Sequence, residues 1–278
     1  MKLLIISLLS YISFAQIKTE YLFEFGDFSK ASSFTISSNG IIYVSDLGMN
    51  EIISFDTLGN KLKDIGGFGW QNGLFDQPID VFANPLLVIV ADKGNHRIQQ
   101  FDRFLNFVGS FSNRNENNNE FSFGFPLSVA LSNQGDIFIL DGENIRILKF
   151  DMFGNFLTSF AGIDGGKFKL RRPVSLAINS QGILFVADGK SLMIYDNFGN
   201  GLNRVNFDSE LRSVRIIFDE YVVVTKNSIN KLTFENQSIK SDSIYIPESI
   251  LNDIKSAFIY NEKLYLLLTN KILVYRIL

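Results

Sequence analysis

The chain has 278 residues, 46% of them hydrophobic, with a formal net charge of −3 and an isoelectric point near 5.3. Such a charge provides no basic field to attract phosphate groups, so neither nucleic acid nor an anionic membrane is expected as a partner. The sequence contains no cysteine, which excludes a disulfide framework. A chain of this length does not need one, because a single large core buries enough apolar surface.

A short leader is predicted at the start of the chain. Lys2 precedes an apolar run over residues 3–14, and the small residues Ser13 and Ala15 flank its last position. This combination is typical of a secretory signal peptide, and the run is shorter than the roughly 20 residues needed to cross a bilayer. We therefore expect cleavage near Ala15, a secreted or periplasmic protein without membrane insertion, and a single domain over residues 16–278.

One pattern recurs along the rest of the chain: an apolar run ending in aspartate, a polar turn, a second apolar run ending in an aromatic residue and aspartate, and another turn. The clearest copies are IIYVSDLGMNEIISFDTLGN from Ile41, LLVIVADKGNHRIQQFDRFLN from Leu86, DIFILDGENIRILKFDMFGN from Asp136 and ILFVADGKSLMIYDNFGN from Ile183. The aspartates that end the first run, at spacings of 46, 49 and 47 residues, are Asp46, Asp92, Asp141 and Asp188. A period of about 40 to 50 residues built from short strands indicates four-stranded propeller blades.

Two weaker copies follow, and they raise the number of units to six. They read EYVVVTKNSINKLTFENQSIK from Glu220 and KLYLLLTNKILVYRIL from Lys263. Thr225 and Thr269 are expected at the aspartate position of these copies. The second of them stops after its third strand. The sequence therefore predicts an all-β fold, a six-bladed β-propeller of four-stranded antiparallel blades.

The missing fourth strand of the last blade is predicted at the start of the mature chain. KTEYLFEFG from Lys18 resembles the fourth strand of other copies, and alternation of Tyr21, Phe23 and Phe25 suits a strand with one apolar face. We expect this N-terminal strand to complete the last blade beside Ile272–Ile277, which closes the ring and removes two exposed sheet edges.

Motifs in the stronger copies carry a family resemblance. They are FDQP from Phe75, VADKGNHRIQQFD from Val90 and FDMFGN from Phe150, and Pro126 and Pro173 repeat the proline before the first strand of a blade. Together they resemble the NHL-repeat branch of six-bladed β-propellers. The resemblance implies that fold and a broad choice of roles, among them extracellular sensors, platforms that bind protein or RNA, and an amidating lyase that uses histidine-bound zinc.

The single histidine limits the last of these roles. A catalytic zinc site of the lyase type needs about three protein ligands, commonly histidines, whereas His96 is the only histidine here. Two interpretations of His96 remain: a turn residue packed against the next blade, or a polar contact on the face that binds ligand.

The strand-ending aspartates also allow two interpretations. A propeller points equivalent positions toward one axis, so a ring formed by Asp46, Asp92, Asp141 and Asp188 could hold calcium. An aspartate at the start of a turn can instead accept hydrogen bonds from nearby backbone N–H groups. Because the aspartate recurs with the blade, we favour the turn role, expect no cofactor, and keep calcium as the alternative.

A metal-dependent enzyme is the second functional alternative. Lactonases of the gluconolactonase type share the six-bladed architecture and use carboxylates and amides from different blades. The sequence supplies these residue types, without a recognisable local motif, at Glu24, Glu51, Asn95, Asn144 and Asp188.

Differences between the blades indicate where specific binding is expected, because stacking residues recur whereas a binding face must be irregular. Three unusual loops are predicted on the face that carries the aspartate turns: residues 66–77, residues 113–120 with the sequence NRNENNNE, and residues 165–172. The candidate ligand-binding residues on this face are Trp70, Gln71, His96, Arg97, Arg171 and Arg172.

The leading functional prediction is an exported, non-catalytic binding scaffold for a protein, peptide or polysaccharide ligand, in a chain expected to be monomeric. The alternative is a metal-dependent, lactonase-like hydrolase or a lyase with its site at the mouth of the channel.

Overall fold

The computed structural model describes residues 16–112, 121–235 and 238–278. In these residues, 24 strands form six antiparallel sheets of four strands, and the inner strands of neighbouring sheets contact one another around a common axis. The predicted fold class, a six-bladed propeller, is confirmed. The predicted leader, residues 1–15, and the asparagine-rich loop, residues 113–120, lie outside the described residues.

The strands are numbered in chain order, and those of each blade run from the axis outward. The first strand of the chain is β1 (Thr19–Phe25). Blade I contains β2 (Ala31–Ile36), β3 (Ile42–Asp46), β4 (Glu51–Phe55) and β5 (Lys61–Gly66). Blade II contains β6 (Pro78–Ala83), β7 (Leu87–Asp92), β8 (Arg97–Asp102) and β9 (Phe107–Phe111). Blade III contains β10 (Ser128–Leu131), β11 (Ile137–Asp141), β12 (Arg146–Phe150) and β13 (Phe156–Phe160).

The second half of the chain supplies the other three blades. Blade IV contains β14 (Pro173–Ile178), β15 (Leu184–Asp188), β16 (Ser191–Tyr195) and β17 (Gly201–Asn206). Blade V contains β18 (Leu211–Ile217), β19 (Glu220–Thr225), β20 (Ile229–Glu235) and β21 (Ser238–Ile244). Blade VI contains β22 (Ser256–Tyr260), β23 (Lys263–Leu267), β24 (Ile272–Ile277) and, on its outside, β1.

Helix is scarce in the described part of the chain. It consists of a 3₁₀ turn, Gly166–Phe168, and one turn of α-helix, α1 (Glu248–Leu251). Among the described residues, no helix is both long and apolar enough to cross a bilayer.

The N-terminal strand closes the ring, as predicted. β1 pairs antiparallel with β24, with Phe23 opposite Val274 and Phe25 opposite Ile272. The expected strict alternation is interrupted, because the register shifts between Tyr21 and Phe23. Tyr21 is consequently 51% exposed, and its ring meets Tyr275 edge to face at 5.6 Å.

The second strand of each blade is buried on both faces between neighbouring blades. Every residue of β3, β11 and β15 is buried. These strands therefore read as continuous apolar runs in the sequence rather than as an alternating pattern.

Two recurring positions fill the interfaces between blades. The first lies on the third strand, and in the order of the blades it is Phe55, Phe101, Phe150, Tyr195, Leu232 and Tyr275. The second lies on the outer strand of the preceding blade, and in the same order it is Phe25, Ile65, Phe111, Phe160, Val205 and Ile244. Each pair shares one hydrophobic cluster. Between blades IV and V alone, both members of this set, Val205 and Leu232, are aliphatic.

The turns between the third and fourth strands of blades I to IV share one hydrogen-bonding pattern. In blade III, Asp151 accepts hydrogen bonds from the backbone N–H groups of Phe153 and Asn155 and from the Asn155 side chain, at 2.7 to 2.9 Å. The same bonds are made by Asp56, Asp102 and Asp196. The residue two positions after each aspartate projects into solvent, between 57% and 80% exposed: Leu58, Phe104, Phe153 and Phe198.

Acid is expected to weaken these turns. Hydrogen bonds from the side chain and the backbone of Asn155 hold the pKa of Asp151 below its ordinary value, and the backbone N–H of Asn106 does the same for Asp102. A carboxyl group whose pKa is lower in the folded state contributes stability above its unfolded pKa and loses that contribution as pH falls through its folded pKa. We therefore expect the melting temperature to decrease as the pH is lowered below about 4.

The Asp151→Asn variant tests this expectation, because the amide keeps an acceptor but no longer titrates. Thermal unfolding measured from neutral to acidic pH is expected to show a shallower acid dependence in the variant. Asp164→Asn, which removes an exposed carboxylate outside these turns, serves as the control. Equal acid slopes for Asp151→Asn and the unmodified protein would contradict the assignment.

Candidate functional site

The loops that connect successive blades and the turns between second and third strands lie at the same end of the propeller. We call this end the upper face. The strand-ending aspartates hold it together: the Asp92 carboxylate, at the end of β7, accepts a hydrogen bond at 2.8 Å from the backbone N–H of Asp76, in the loop that leads into blade II.

The other strand-ending aspartates make equivalent contacts. Asp46 accepts hydrogen bonds from the backbone N–H groups of Ser29, Lys30 and Gly48 at 2.7 to 2.8 Å. Asp141 and Asp188 likewise accept bonds from the loop entering their own blades. Each carboxylate therefore joins a loop to a turn within one blade, which is the local role of an aspartate at a turn.

Blades V and VI lack this aspartate. Thr225 occupies the position in blade V, as expected from the sequence. In blade VI the register differs from the expected one: Ser256 pairs with Leu267, just as Ser213 pairs with Val224. Leu268, and not Thr269, therefore occupies the aspartate position.

The residues considered for a metal site are not brought together. Glu24 lies on the outermost strand of blade VI and pairs with Lys271 at 2.9 Å, whereas Asn95 and Asn144 donate hydrogen bonds to the aspartates of their own turns. Among residues 16–112, 121–235 and 238–278, no group of three or more His, Cys, Asp or Glu side chains has an arrangement that could hold a metal ion. The carboxylate oxygens of the four strand-ending aspartates accept hydrogen bonds within four separate blades.

Arg97 organises the loop that carries Trp70. Its guanidinium pairs with Asp92 at 2.8 Å and donates hydrogen bonds to the backbone carbonyls of Trp70, Gln71 and Leu74 at 2.6 to 3.0 Å. The side chain of Arg97 is only 11% exposed, whereas Trp70 is 81% exposed. The loop thus presents the indole to solvent, and Arg97 positions the loop from beneath. Arg146 makes the same pairing with Asp141 in blade III, at 3.2 Å.

Burial and hydrogen bonding act in opposite directions on Asp92. Burial raises the pKa of this carboxyl above its usual value, and the hydrogen bonds from Asn95 and Arg97 counteract that rise. The compensation is consistent with a carboxylate that serves the loop structure.

His96 lies in the turn after Asp92 and contacts the next blade. Its Nδ1 accepts a hydrogen bond at 3.0 Å from the backbone N–H of Phe125, and the two rings meet at a centroid distance of 4.1 Å. Both residues have positive φ angles, 52° and 47°. This contact agrees with the first of the two interpretations of His96 from the sequence, that of a turn residue packed on the neighbouring blade. A role of His96 in ligand binding stays a prediction.

Arg171 and Arg172 precede blade IV, and their side chains reach solvent. The Arg172 guanidinium pairs with Glu210 at 2.8 Å, and Glu210 also contacts Lys226. The hydrogen bond and charge of Lys226, with the charge of Arg172, lower the pKa of Glu210. Arg172, one of the candidate ligand-binding residues, therefore belongs to a charged cluster that spans blades IV and V, with Glu210 at its centre.

The residues that line the mouth of the central channel were not identified from the sequence. The mouth is a small cavity of about 90 Å³ lined by the inner strands of the blades. Six equivalent residues surround it, one at the start of the inner strand of each blade: Ser32, Ile79, Leu127, Val174, Arg212 and Lys255. One half of this ring is apolar, on blades II to IV, and the other half is polar and basic, on blades V, VI and I. The signal in the sequence is the residue after Pro78, Pro126 and Pro173, which is apolar each time.

Directly below the mouth, a buried ion pair crosses the axis between opposite blades. Nη2 of Arg215, on β18, lies 2.7 Å from Oδ1 of Asp80, on β6, and 2.7 Å from the hydroxyl of Ser33. Asp80 is 2% exposed and Arg215 is 8% exposed. At the position of Asp80, the other five blades carry serine: Ser33, Ser128, Ser175, Ser213 and Ser256. The ion pair and the serine ring form a polar floor under the mouth.

No protein-family model and no curated protein matches this sequence. Among solved structures, the chain is similar to a streptogramin B lyase, with 14% identity and a TM-score of 0.63 over 94% of this chain and 98% of that one. It is also similar to a catalytically inactive histidine-to-alanine variant of virginiamycin B lyase from Staphylococcus aureus with quinupristin, with 10% identity and a TM-score of 0.62 over 95% and 100% of the two chains.

A third similar chain belongs to a structure of the mitotic checkpoint complex, with 12% identity and a TM-score of 0.60 over 88% of this chain and 74% of that one. At these identities the similarity concerns the propeller fold alone. The resemblance to NHL repeats stays a prediction from the sequence motifs.

Proposed function

We propose that this protein is a non-catalytic binding propeller whose upper face takes up a peptide segment of a partner protein, with an apolar side chain and a carboxylate seated at the channel mouth. The observation that carries the proposal is the division of the mouth into an apolar half and a basic half. Ile79, Leu127 and Val174 form the first, and Arg212 and Lys255 contribute to the second.

The apolar half favours a side chain that leaves water. Val174 is 44% exposed at the mouth, and Ile79 and Leu127 are partly buried beside it. Covering such side chains with an apolar ligand group contributes about 25 cal/mol for each Å² removed from water. An apolar residue of a peptide supplies that cover.

The basic half favours an anion. Lys255 is exposed, and Arg212 is held in place because its Nη1 donates hydrogen bonds to the carbonyls of Leu251 and Ile254, at 3.1 and 2.8 Å. Charge-assisted hydrogen bonds from Lys or Arg to a carboxylate are about twice as strong as neutral ones. The buried Asp80–Arg215 pair crosses the axis directly below the mouth, so we expect the ligand to stay on the upper face and not to enter the channel.

The contacts of the polar residues support binding rather than catalysis. The strand-ending aspartates accept hydrogen bonds from their own loops, and His96 Nδ1 accepts one from Phe125. A general base or a nucleophile needs an atom directed at the reacting group. The similar virginiamycin B lyase is catalytically inactive when a histidine is replaced by alanine, and this chain has only His96 to offer.

The proposal includes export, as the sequence of residues 1–15 predicts. Sequencing of the N-terminus of the protein recovered from intact cells tests it. A mature chain that begins near Gln16 is expected, and a chain that retains residues 1–15 would contradict export.

A peptide array tests the ligand class. Short peptides with an apolar last residue and a free terminal carboxylate are expected to bind, and the same peptides with an amidated terminus are expected to bind at least about tenfold more weakly, or about 1.4 kcal/mol. Lys255→Glu is expected to lose binding to a similar extent. The matched control is Lys61→Glu, which makes the same change in net charge away from the mouth. Lys61 lies on the outer strand of blade I, and its side chain is 53% exposed.

The fluorescence of Trp70, the sole tryptophan, reports whether the loop of residues 66–77 takes part. Saturable binding with a shift in emission places the ligand next to this loop. Equal binding of carboxylate and amide peptides, or equal losses in Lys255→Glu and Lys61→Glu, would contradict the proposal. Preference for uncharged glycans on the same face would replace the peptide by a polysaccharide.

A further inference from the structure

A second cavity lies at the opposite end of the propeller, between blades IV and V. Its volume is about 670 Å³, within the range of roughly 300 to 1,000 Å³ that is typical of small-molecule sites. The turn between the first and second strands of blade IV and the end of the third strand of blade V contribute to its walls. This cavity is separate from the upper face, and the inference drawn from it does not depend on the proposed function.

The position of the cavity follows from an exchange of side chains in blade V. In blades I to IV, the third-strand position that faces the preceding blade carries an aromatic ring, and the residue paired with it is aliphatic, as in Ile42 opposite Phe55. In blade V the pair is reversed, with Tyr221 on β19 opposite Leu232 on β20. The ring is thereby moved toward the axis, and a shorter side chain remains on the outer side.

The outer strand of blade IV does not compensate for this change. At the interface before blade IV, Phe160 packs on Tyr195 at a centroid distance of 5.7 Å. At the next interface, the corresponding residues are Val205 and Leu232. The interface between blades IV and V thus lacks an aromatic ring in a place where the other interfaces carry one or two, and the cavity opens beside Leu232.

The walls of the cavity combine aromatic rings with buried polar groups. Tyr221 and Phe234 lie 4.6 Å apart between centroids, and Phe185 lies 5.3 Å from Tyr221. The Tyr221 hydroxyl accepts a hydrogen bond from the side-chain amide of Asn179 at 3.1 Å. Asn179 is 9% exposed and Tyr221 is 8% exposed. At the rim, Lys231 pairs with Glu220 at 2.7 Å, and Asp219 adds a further carboxylate.

We propose that this cavity is a binding site for an uncharged, flat aromatic molecule that carries a hydroxyl group. The ring of the ligand occupies the space beside Leu232, where the neighbouring blade interface holds an aromatic side chain, and stacks against the rings of the walls. The ligand hydroxyl hydrogen-bonds with Tyr221 and Asn179, which are both more than nine-tenths buried at the cavity wall. An anionic ligand is disfavoured because Lys231, the only lysine among the described residues of the rim, already has a carboxylate partner and Asp219 adds another negative charge.

Calorimetric titration with naphthol as the probe tests the proposal on the full-length protein. Naphthol is expected to bind with a Kd below about 1 mM. Decalol, its saturated and non-planar analogue, is expected to bind at least about tenfold more weakly, because only a flat ring stacks on the walls. Equal binding of the two probes, or no heat from naphthol at about 1 mM, overturns the proposal.

Two variants locate the binding. Leu232→Phe restores the ring of the other blades and is expected to weaken naphthol binding at least about tenfold, while the melting temperature is unchanged or higher. Leu202→Trp narrows the cavity from its rim, where Leu202 is 53% exposed, so it keeps the proposal testable if Leu232→Phe does not fold. The control is Leu62→Phe on the exposed outer strand of blade I, which is expected to bind naphthol as the unmodified protein does. Unchanged binding in Leu202→Trp, or equal losses in all three variants, overturns the proposal.

Discussion

Deletion of residues 17–26 is expected to destabilise the protein by about 3 to 5 kcal/mol and to cause aggregation. The deletion removes β1 and with it the partly buried rings of Phe23 and Phe25, which pack on the core of blades VI and I. It also leaves the hydrogen-bonding edge of β24 unpaired, and an exposed edge strand is a template for association with other chains. Urea unfolding and sedimentation of the deleted chain measure the two effects.

Addition of the missing strand in trans provides the control. A synthetic peptide of residues 17–26 is expected to restore part of the lost stability, because it can pair with β24 in the native register, whereas a scrambled peptide of the same composition is not. A deleted chain that remains monodisperse with an unchanged unfolding midpoint would show that β1 does not close the ring.

Replacement of Arg215 by alanine is expected to cost about 3 to 5 kcal/mol. The pair with Asp80 is buried, and removal of one partner leaves the other charge without compensation in a desolvated position. Arg215 also donates a hydrogen bond to the Ser256 hydroxyl at 3.2 Å. The free energy of unfolding, measured in urea, gives the loss directly.

The matched double variant, Asp80→Ser with Arg215→Ala, separates the charge effect from simple truncation. Serine is the residue that the other five blades carry at this position, so the double variant makes the ring uniform. We expect it to lose less than half of what Arg215→Ala loses, because no isolated charge remains. Equal losses in the single and double variants would contradict the electrostatic explanation.

The fold could be predicted from the sequence because its determinants are local and periodic. The runs that end at Asp46, Asp92, Asp141 and Asp188 are buried second strands, and their spacing is the length of one blade. Ring closure could also be predicted, because a blade that lacks one strand needs a partner from elsewhere in the chain. The register within a strand was less accessible: the shift in β1 that exposes Tyr21 has no distinct sequence signal.

The candidate site was predicted less completely, for two physical reasons. Asp80 and Arg215 are 135 residues apart in sequence and meet only because their blades lie opposite each other, so no local pattern connects them. Arg97 looks like a surface cation in the sequence, but its five donors suit several acceptors at once, and the adjacent loop supplies three carbonyls. Trp70 was identified by its rarity, and it is solvent-exposed on that loop.

The shared turn of blades I to IV has a practical consequence. In blade III its hydrogen bonds are donated to Asp151 by the backbone N–H groups of Phe153 and Asn155 and by the Asn155 side chain, so the solvated ring of Phe153 takes no part in closing the turn. Since the chain has no native thiol, the variants Phe153→Cys and Phe198→Cys would each carry a single thiol to which a spin label or a dye can be attached. With labels on two blades, the distance between them could be measured, and an increase in that distance would report opening of the ring.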